Sequence, residues 1–208
     1  MCCELGAAFT GFIFVRKSPR YVTPEQAAAL DSSRTGADRP LRVGVFGGHS
    51  VDEIRTIADT ARLDLIQLHG GEDAAFCHAL GPERVIKVLW PQKLLAEAAT
   101  AVSDLPGLLD KACAPFEDAC AFFLLDAGSG GGGSGQTLSW QDLAGFRPPR
   151  PWLLAGGIGE DNAAHALAAC RPHGIDCNSA LESAPGIKEA AKLRALFENI
   201  RNQSPYQE

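Results

Sequence analysis

The stretch Phe122-Phe123-Leu124-Leu125-Asp126-Ala127, followed by Gly128-Ser129-Gly130-Gly131-Gly132-Gly133-Ser134-Gly135-Gln136-Thr137 and Leu138-Ser139-Trp140, decides how the rest of the chain is read. An apolar run of strand length ends in a single carboxylate, Asp126. A glycine-rich loop follows, and Ser139 is placed to cap a helix after it. In α/β proteins ligands bind where the carboxyl ends of strands meet their loops. Asp126 therefore stands where chemistry is done, and the loop behind it is loose enough to close over a substrate.

Working outward, the same strand–loop–helix pattern occurs seven times. Strand-like runs occupy 8–15, 41–46, 63–68, 84–90, 119–125, 152–155 and 175–181. Thr23 with Pro24 opens a short helix, as N-cap and first helical residue. Ser50-Val51-Asp52-Glu53 forms a capping box. Further helices are expected over 72–80, after Trp90, within 104–118, over 160–170 and over 188–201. Strands of this length alternating with helices give βαβ units and a parallel sheet. The repeat fits either a barrel or an open doubly wound sheet. No GxGxxG follows the first strand, and residues 130–135 lack the Lys-Ser or Lys-Thr of a nucleotide-binding loop.

At 208 residues the chain is long enough for one sizeable core, expected over 1–201 as a single domain with a polar tail at 202–208. A net charge of −6 argues against nucleic acid as a partner but leaves room for a small anion held by backbone amides. No apolar run reaches the roughly 18 residues of a membrane helix. Met1-Cys2-Cys3-Glu4-Leu5-Gly6 lacks the basic and apolar regions of a signal peptide, so no membrane and a cytoplasmic location are expected. Seven cysteines without a CxxC read as reduced thiols; Cys77, Cys113, Cys120, Cys170 and Cys177 sit among apolar neighbours as core filler. No metal site is expected.

Leu154-Ala155-Gly156-Gly157-Ile158 is a strand that ends in two glycines. Either it makes a tight turn, or its amides approach a phosphate. The next strand run ends in Asn178-Ser179-Ala180, and two such adjacent loops favour the phosphate. Arg20 is either a solvated side chain or a fork for a carboxylate. Asp126 is either a turn former or a general acid. His69 ends a strand and is placed to orient a loop, whereas His49, His78, His165 and His173 carry no expected role.

Taken together the chain resembles the phosphoribosylanthranilate isomerase family. The resemblance rests on Gly11-Phe12-Ile13-Phe14 with Lys17-Ser18-Pro19-Arg20-Tyr21, Val43-Gly44-Val45-Phe46 and Gln67-Leu68-His69-Gly70. It continues through Leu124-Leu125-Asp126, Gly132-Gly133-Ser134-Gly135, Leu154-Ala155-Gly156-Gly157 and Glu182-Ser183-Ala184-Pro185-Gly186-Ile187-Lys188. It implies a (β/α)8 TIM barrel and an Amadori rearrangement in tryptophan biosynthesis, with no cofactor and a small phosphorylated substrate. The implied assembly is a monomer or a homodimer. By motif position Asp126 is the general acid and Arg20 holds the anthranilate carboxylate. Backbone amides around Gly156, Gly157, Ser179 and Ala180 hold the phosphate. An acid working near neutral pH needs a raised pKa, which burial at a strand end would supply.

Two departures stand out. The family's first strand carries Lys-x-Cys-Gly, whose cysteine is the general base. Cys2 and Cys3 precede a different strand, so neither is expected to act as that base. The expectation is therefore a barrel N-terminally truncated to seven βα units, with open edges at 8–15 and 175–181. Either the true start lies upstream, or this chain is an inactive ligand-binding or interaction remnant. The second departure is Ala180, at a position where the family usually has glycine, with Asn178 in place of a serine. A third reading is another enzyme on a phosphate-binding barrel, but its strand-end lysine would be Lys87, for which the sequence offers no catalytic partner.

Overall fold

The computed structural model describes residues 1–30, 39–98, 105–126 and 140–203. Ser139 and the glycine-rich loop after Asp126 lie outside the described residues. The chain divides into two compact units: Met1–Val88 with Asp118–Ala121, and Leu89–Glu117 with Phe122–Glu208.

The first unit starts with a short helix, α1 (Cys2–Leu5), and then alternates β1 (Phe9–Ile13), α2 (Pro24–Ala29), β2 (Leu41–Phe46), α3 (Val51–Thr60), β3 (Leu65–Leu68), α4 (Ala74–Leu80) and the start of β4 (Val85–Leu89). The strands run parallel in chain order, with Gly11 opposite Val43, Val45 opposite Gln67 and Gln67 opposite Ile86. The capping box expected at Ser50 and Glu53 forms at α3, and Thr23, expected as the N-cap of α2, makes a second one with Gln26. Each satisfies N–H groups that a helix start leaves without partners. Arg42 is buried and donates to the carbonyls of Ala27 and Ala61, at the ends of α2 and α3. Phe14 stacks on Phe46 at 5.3 Å between ring centroids in the core of this unit.

The second unit contains α5 (Pro91–Ala98), α6 (Leu105–Cys113), β5 (Phe122–Asp126), β6 (Trp152–Ala155), α7 (Ala163–Cys170), β7 (Gly174–Ile175), β8 (Glu182–Ala184), β9 (Ile187–Lys188) and α8 (Ala190–Gln203). β5, β6 and β7 are parallel neighbours in that order, with Leu124 opposite Leu153 and Leu154 opposite Ile175. Phe123, Leu124, Leu125, Trp152 and Leu154 are all buried, as strands covered on both faces require.

Three expectations are corrected here. After Ser139 the described chain holds a short 3-10 turn, Trp140–Leu143, in place of an α-helix, because Gly145, Pro148, Pro149 and Pro151 prevent its extension. The strand expected over 175–181 keeps only Ile175, which pairs as part of Gly174–Ile175, because the polar run Asp176-Cys177-Asn178 turns away and Asn178 takes ψ −90°. The residues beyond it form an antiparallel hairpin, β8 with β9, closed by Pro185-Gly186, so the last helix begins at Ala190 and not at Lys188.

Candidate active site

Asp126 closes β5 and is half-buried. Its register partner on the adjacent strand is Ala155, the last residue of β6. The next residues are Gly156 and Gly157, with φ of 99° and 69°. Those values lie in the region that side chains disfavour, which accounts for two glycines at this strand end. The carboxylate and the double-glycine turn thus leave neighbouring strands at the same level.

A side chain that sequence reasoning passed over organises this turn. Asn162 accepts from Gly159 N through Oδ1 at 2.9 Å and donates to Gly157 O through Nδ2 at 3.0 Å. One amide group therefore fixes the turn's two ends. The available signal was an asparagine just before a helix and three residues after a glycine, where such side chains commonly bond local backbone.

The second loop begins after β7. Asp176 N still bonds Leu154 O at 2.8 Å, and then Ser179–Leu181 make one 3-10 turn. Ala180 does not take a positive φ; among the described non-glycine residues only Arg62 and Arg171 do. The alanine therefore carries none of the backbone strain that a glycine position would have imposed on it. Its methyl instead lies against Gly159: a Cβ placed on Gly159 would come within 2.8 Å of Ala180 Cβ. The two loops touch at this point, and only a hydrogen on Gly159 lets them. Ser179 is exposed and Ala180 half-buried, so the first amides of the turn, which have no partner inside it, lie near the surface.

In the first unit, Arg20 sits in the excursion between β1 and Tyr21, which bridges back to Ile13. Arg20 N donates to Ser18 Oγ at 3.1 Å, and its side chain is half-buried rather than fully solvated. His69 follows β3, and the Gln67 side-chain amide meets its Nε2 at 2.6 Å. Lys87 finds a structural partner: its ammonium lies 3.5 Å from Glu72 Oε2 and donates to Gly70 O and Glu72 O. Cys2 and Cys3 lie in α1, ahead of the N-terminal end of β1, whereas the loop carrying Arg20 leaves its C-terminal end. A cavity of about 360 Å³ in this unit is lined by Phe14, Arg16, Tyr21 and His49 among others, and neither Arg20 nor His69 borders it.

Cys77, Cys113, Cys120 and Cys170 are buried as expected, whereas Cys177 is only half-buried. Burial pushes the Cys77 and Cys170 thiols up to about 11, and Cys177 up to about 12 with help from Asp176. All three stay protonated and unreactive near neutral pH. Among the described residues, no helix is long and apolar enough to cross a membrane.

The family model described as N-(5'-phosphoribosyl)anthranilate isomerase matches residues 1–199. The chain belongs to this family. A N-(5'-phosphoribosyl)anthranilate isomerase of Desulfovibrio desulfuricans is 47% identical over 197 residues, covering 95% of this chain and 87% of that protein. Among solved structures, phosphoribosyl anthranilate isomerase of Thermotoga maritima superposes with a TM-score of 0.76 at 29% identity, over 96% of this chain and 90% of that one. A second isomerase structure, 25% identical with a TM-score of 0.73, covers 96% of this chain and 90% of its own and holds reduced 1-(o-carboxyphenylamino)-1-deoxyribulose 5-phosphate. The parallel β/α-barrel class expected from the sequence is thus the fold class of this chain.

Proposed function

We propose that this protein is an isomerase of tryptophan biosynthesis that converts N-(5-phosphoribosyl)anthranilate to 1-(2-carboxyphenylamino)-1-deoxyribulose 5-phosphate. Membership of the isomerase family over residues 1–199 supports the reaction. The local observation that carries it is the pairing of Asp126 with Ala155, which sets a carboxylate beside the Gly156-Gly157 turn.

In this reading the Asp126 carboxyl gives its proton to the furanose ring oxygen. The C1–O bond then breaks as the anilino nitrogen forms an iminium. A base takes the proton from C2, the electron pair moves to form the enolamine, and tautomerisation yields the aminoketose. Amides of Gly156, Gly157, Ser179 and Ala180 hold the phosphate, whose charge backbone N–H groups satisfy well. Arg20 pairs with the anthranilate carboxylate, for which a planar guanidinium offers two parallel donors.

The test is turnover of freshly prepared substrate, followed by loss of its fluorescence, alongside calorimetric binding of the reduced product analogue. The expected result is binding and turnover by the wild type. Asp126→Asn should lower turnover by about 10²–10⁴-fold, the usual worth of a general acid, and leave analogue binding within about threefold. Turnover unchanged in Asp126→Asn would remove that residue from the reaction. Binding without turnover by the wild type would make the chain a ligand-binding protein, and failure of both would overturn the reading.

A further inference from the structure

The loop 178–180, which the proposed function gives to the phosphate, is held from behind by the β8–β9 hairpin. Glu182 and Lys188 face each other across that hairpin. Lys188 Nζ donates to Asn178 O at 2.8 Å, to Asn178 Oδ1 at 2.6 Å and to Glu182 Oε1 at 3.0 Å. Glu182 Oε1 also accepts from Gly186 N at 3.1 Å, which ties the carboxylate to the hairpin's own turn. The Glu182 side chain is 4% exposed, so the anchor of the arrangement is fixed in the protein while Lys188 is about one-third exposed.

An ammonium has three N–H donors, and the three contacts above use them all. Lys188 thus has no N–H left to offer a ligand. Its effect falls on Asn178, whose carbonyl also accepts from Leu181 N at 3.2 Å. Asn178 has φ −125° and ψ −90°, an unusual backbone state in which the strand gives way to the Ser179–Leu181 turn. The carbonyl and the side-chain oxygen of this one residue both point at one charge. That bidentate grip sets which way the following peptide units, carrying the amides of Ser179 and Ala180, face.

We infer that Lys188 is a positioning residue for the phosphate of the substrate, acting through Asn178 and anchored by Glu182, without touching the ligand. This rests on the assignment of loop 178–180 to phosphate. One other cationic group is near: Lys192 donates to Glu182 O at 3.3 Å and pairs with Glu189 at 3.3 Å, so its charge is also engaged within the hairpin and helix.

The experiment uses the full chain, with inorganic phosphate and the reduced product analogue as probes. Lys188→Met is expected to weaken both by about tenfold, the usual worth of a charge-assisted hydrogen bond. KM should rise by a similar factor while kcat changes less than about twofold, since binding and not the chemical step loses support. Amide resonances of Ser179 and Ala180 should shift in the ligand-free variant, and Lys188→Arg should recover most of the affinity. The deciding measurement is a cycle with Asn178→Ala. If Lys188 acts through Asn178, its replacement costs clearly less than tenfold in that background, because the side-chain half of the grip is already gone and only the 178 carbonyl remains. A full additional tenfold loss would mean a direct contact with phosphate and would overturn the inference, as would unchanged affinity in Lys188→Met. Wild-type protein that binds the analogue with phosphate but equally well without it would remove the phosphate assignment itself, a separate outcome.

Discussion

Each unit contains a lysine–glutamate pair that grips backbone carbonyls. In the first unit Lys87 and Glu72 enclose Gly70: the ammonium takes Gly70 O, the carboxylate takes Gly70 N, and both side chains are under one-tenth exposed. In the second, Lys188 takes both oxygens of Asn178 and Glu182 anchors the ammonium, with the lysine about one-third exposed. The chemistry is the same and the surroundings are not. A buried pair is costly to assemble and far costlier to halve, because the survivor is a charge without water. In the second pair only the lysine reaches solvent, so its removal costs less than in the first but still leaves the buried Glu182 carboxylate without its cation, and it also changes the direction in which a loop faces.

The largest contrast should appear in denaturant. Lys87→Met is expected to destabilise the fold by about 3–5 kcal/mol, with part of that returned by Glu72→Gln in the same chain. Lys188→Met should cost less, about 1–3 kcal/mol by the same measurement, because the lysine is partly solvated while Glu182 is left buried with its Gly186 N bond. Equal losses for the two would erase the distinction drawn between them.

The contact between the two proposed phosphate loops gives an intermediate effect. Gly159→Ala forces a methyl against Ala180 and should destabilise by about 1–3 kcal/mol, the usual range for overpacking. Ala180→Gly in the same chain should cancel most of that loss. Persistence of the full loss in the double variant would show that the 159 backbone, and not the 180 methyl, objects to the change.

Smaller effects follow pH. Arg39 hydrogen-bonds Asp64 at 2.6 and 2.7 Å, and with Arg42 N it holds that carboxyl below its ordinary 3.8 against an opposing effect of burial. A depressed folded-state value stabilises above the unfolded pKa, and the contribution is lost as pH falls through the folded one. Arg39→Gln should therefore flatten the acid limb of the stability curve below about pH 4. On the alkaline side the sign reverses. Cys77 and Cys170 ionise near 9.0 when unfolded and near 11 when folded, so the unfolded chain releases protons first and stability falls as pH rises through that window. Replacement of both by alanine should shrink the fall and leave the part that Cys177 contributes, measured by urea titration from pH 8 to 11. An undiminished fall would assign it to other groups.

What could be read from the sequence was whatever is written in adjacent residues. Thr23 as N-cap beside Pro24 and the capping box of Ser50 with Glu53 are spelled out within four positions, and both helix starts form. The runs at 41–46 and 152–155 have the bounds of β2 and β6 because glycines or prolines flank them. The shortened β7 was harder, since Ile175 through Leu181 contains apolar residues at both ends and the break depends on one asparagine's backbone. The hairpin left a signal that was not used: Pro185-Gly186 between two short segments is a turn. Asp126 and the Gly156-Gly157 turn were legible as strand ends. Asn162, Gly159 and Lys188 were not, because each acts on backbone that only the folded loops bring within reach.

The seat of Ala180 on Gly159 also sets an order on change over generations. While the methyl at 180 is in place, a side chain at position 159 must push it aside. A descendant that loses the methyl first avoids the clash that one gaining a residue at 159 first would meet, so one route of divergence is easier than the other. Relatives that carry a side chain at 159 are expected to have glycine at 180.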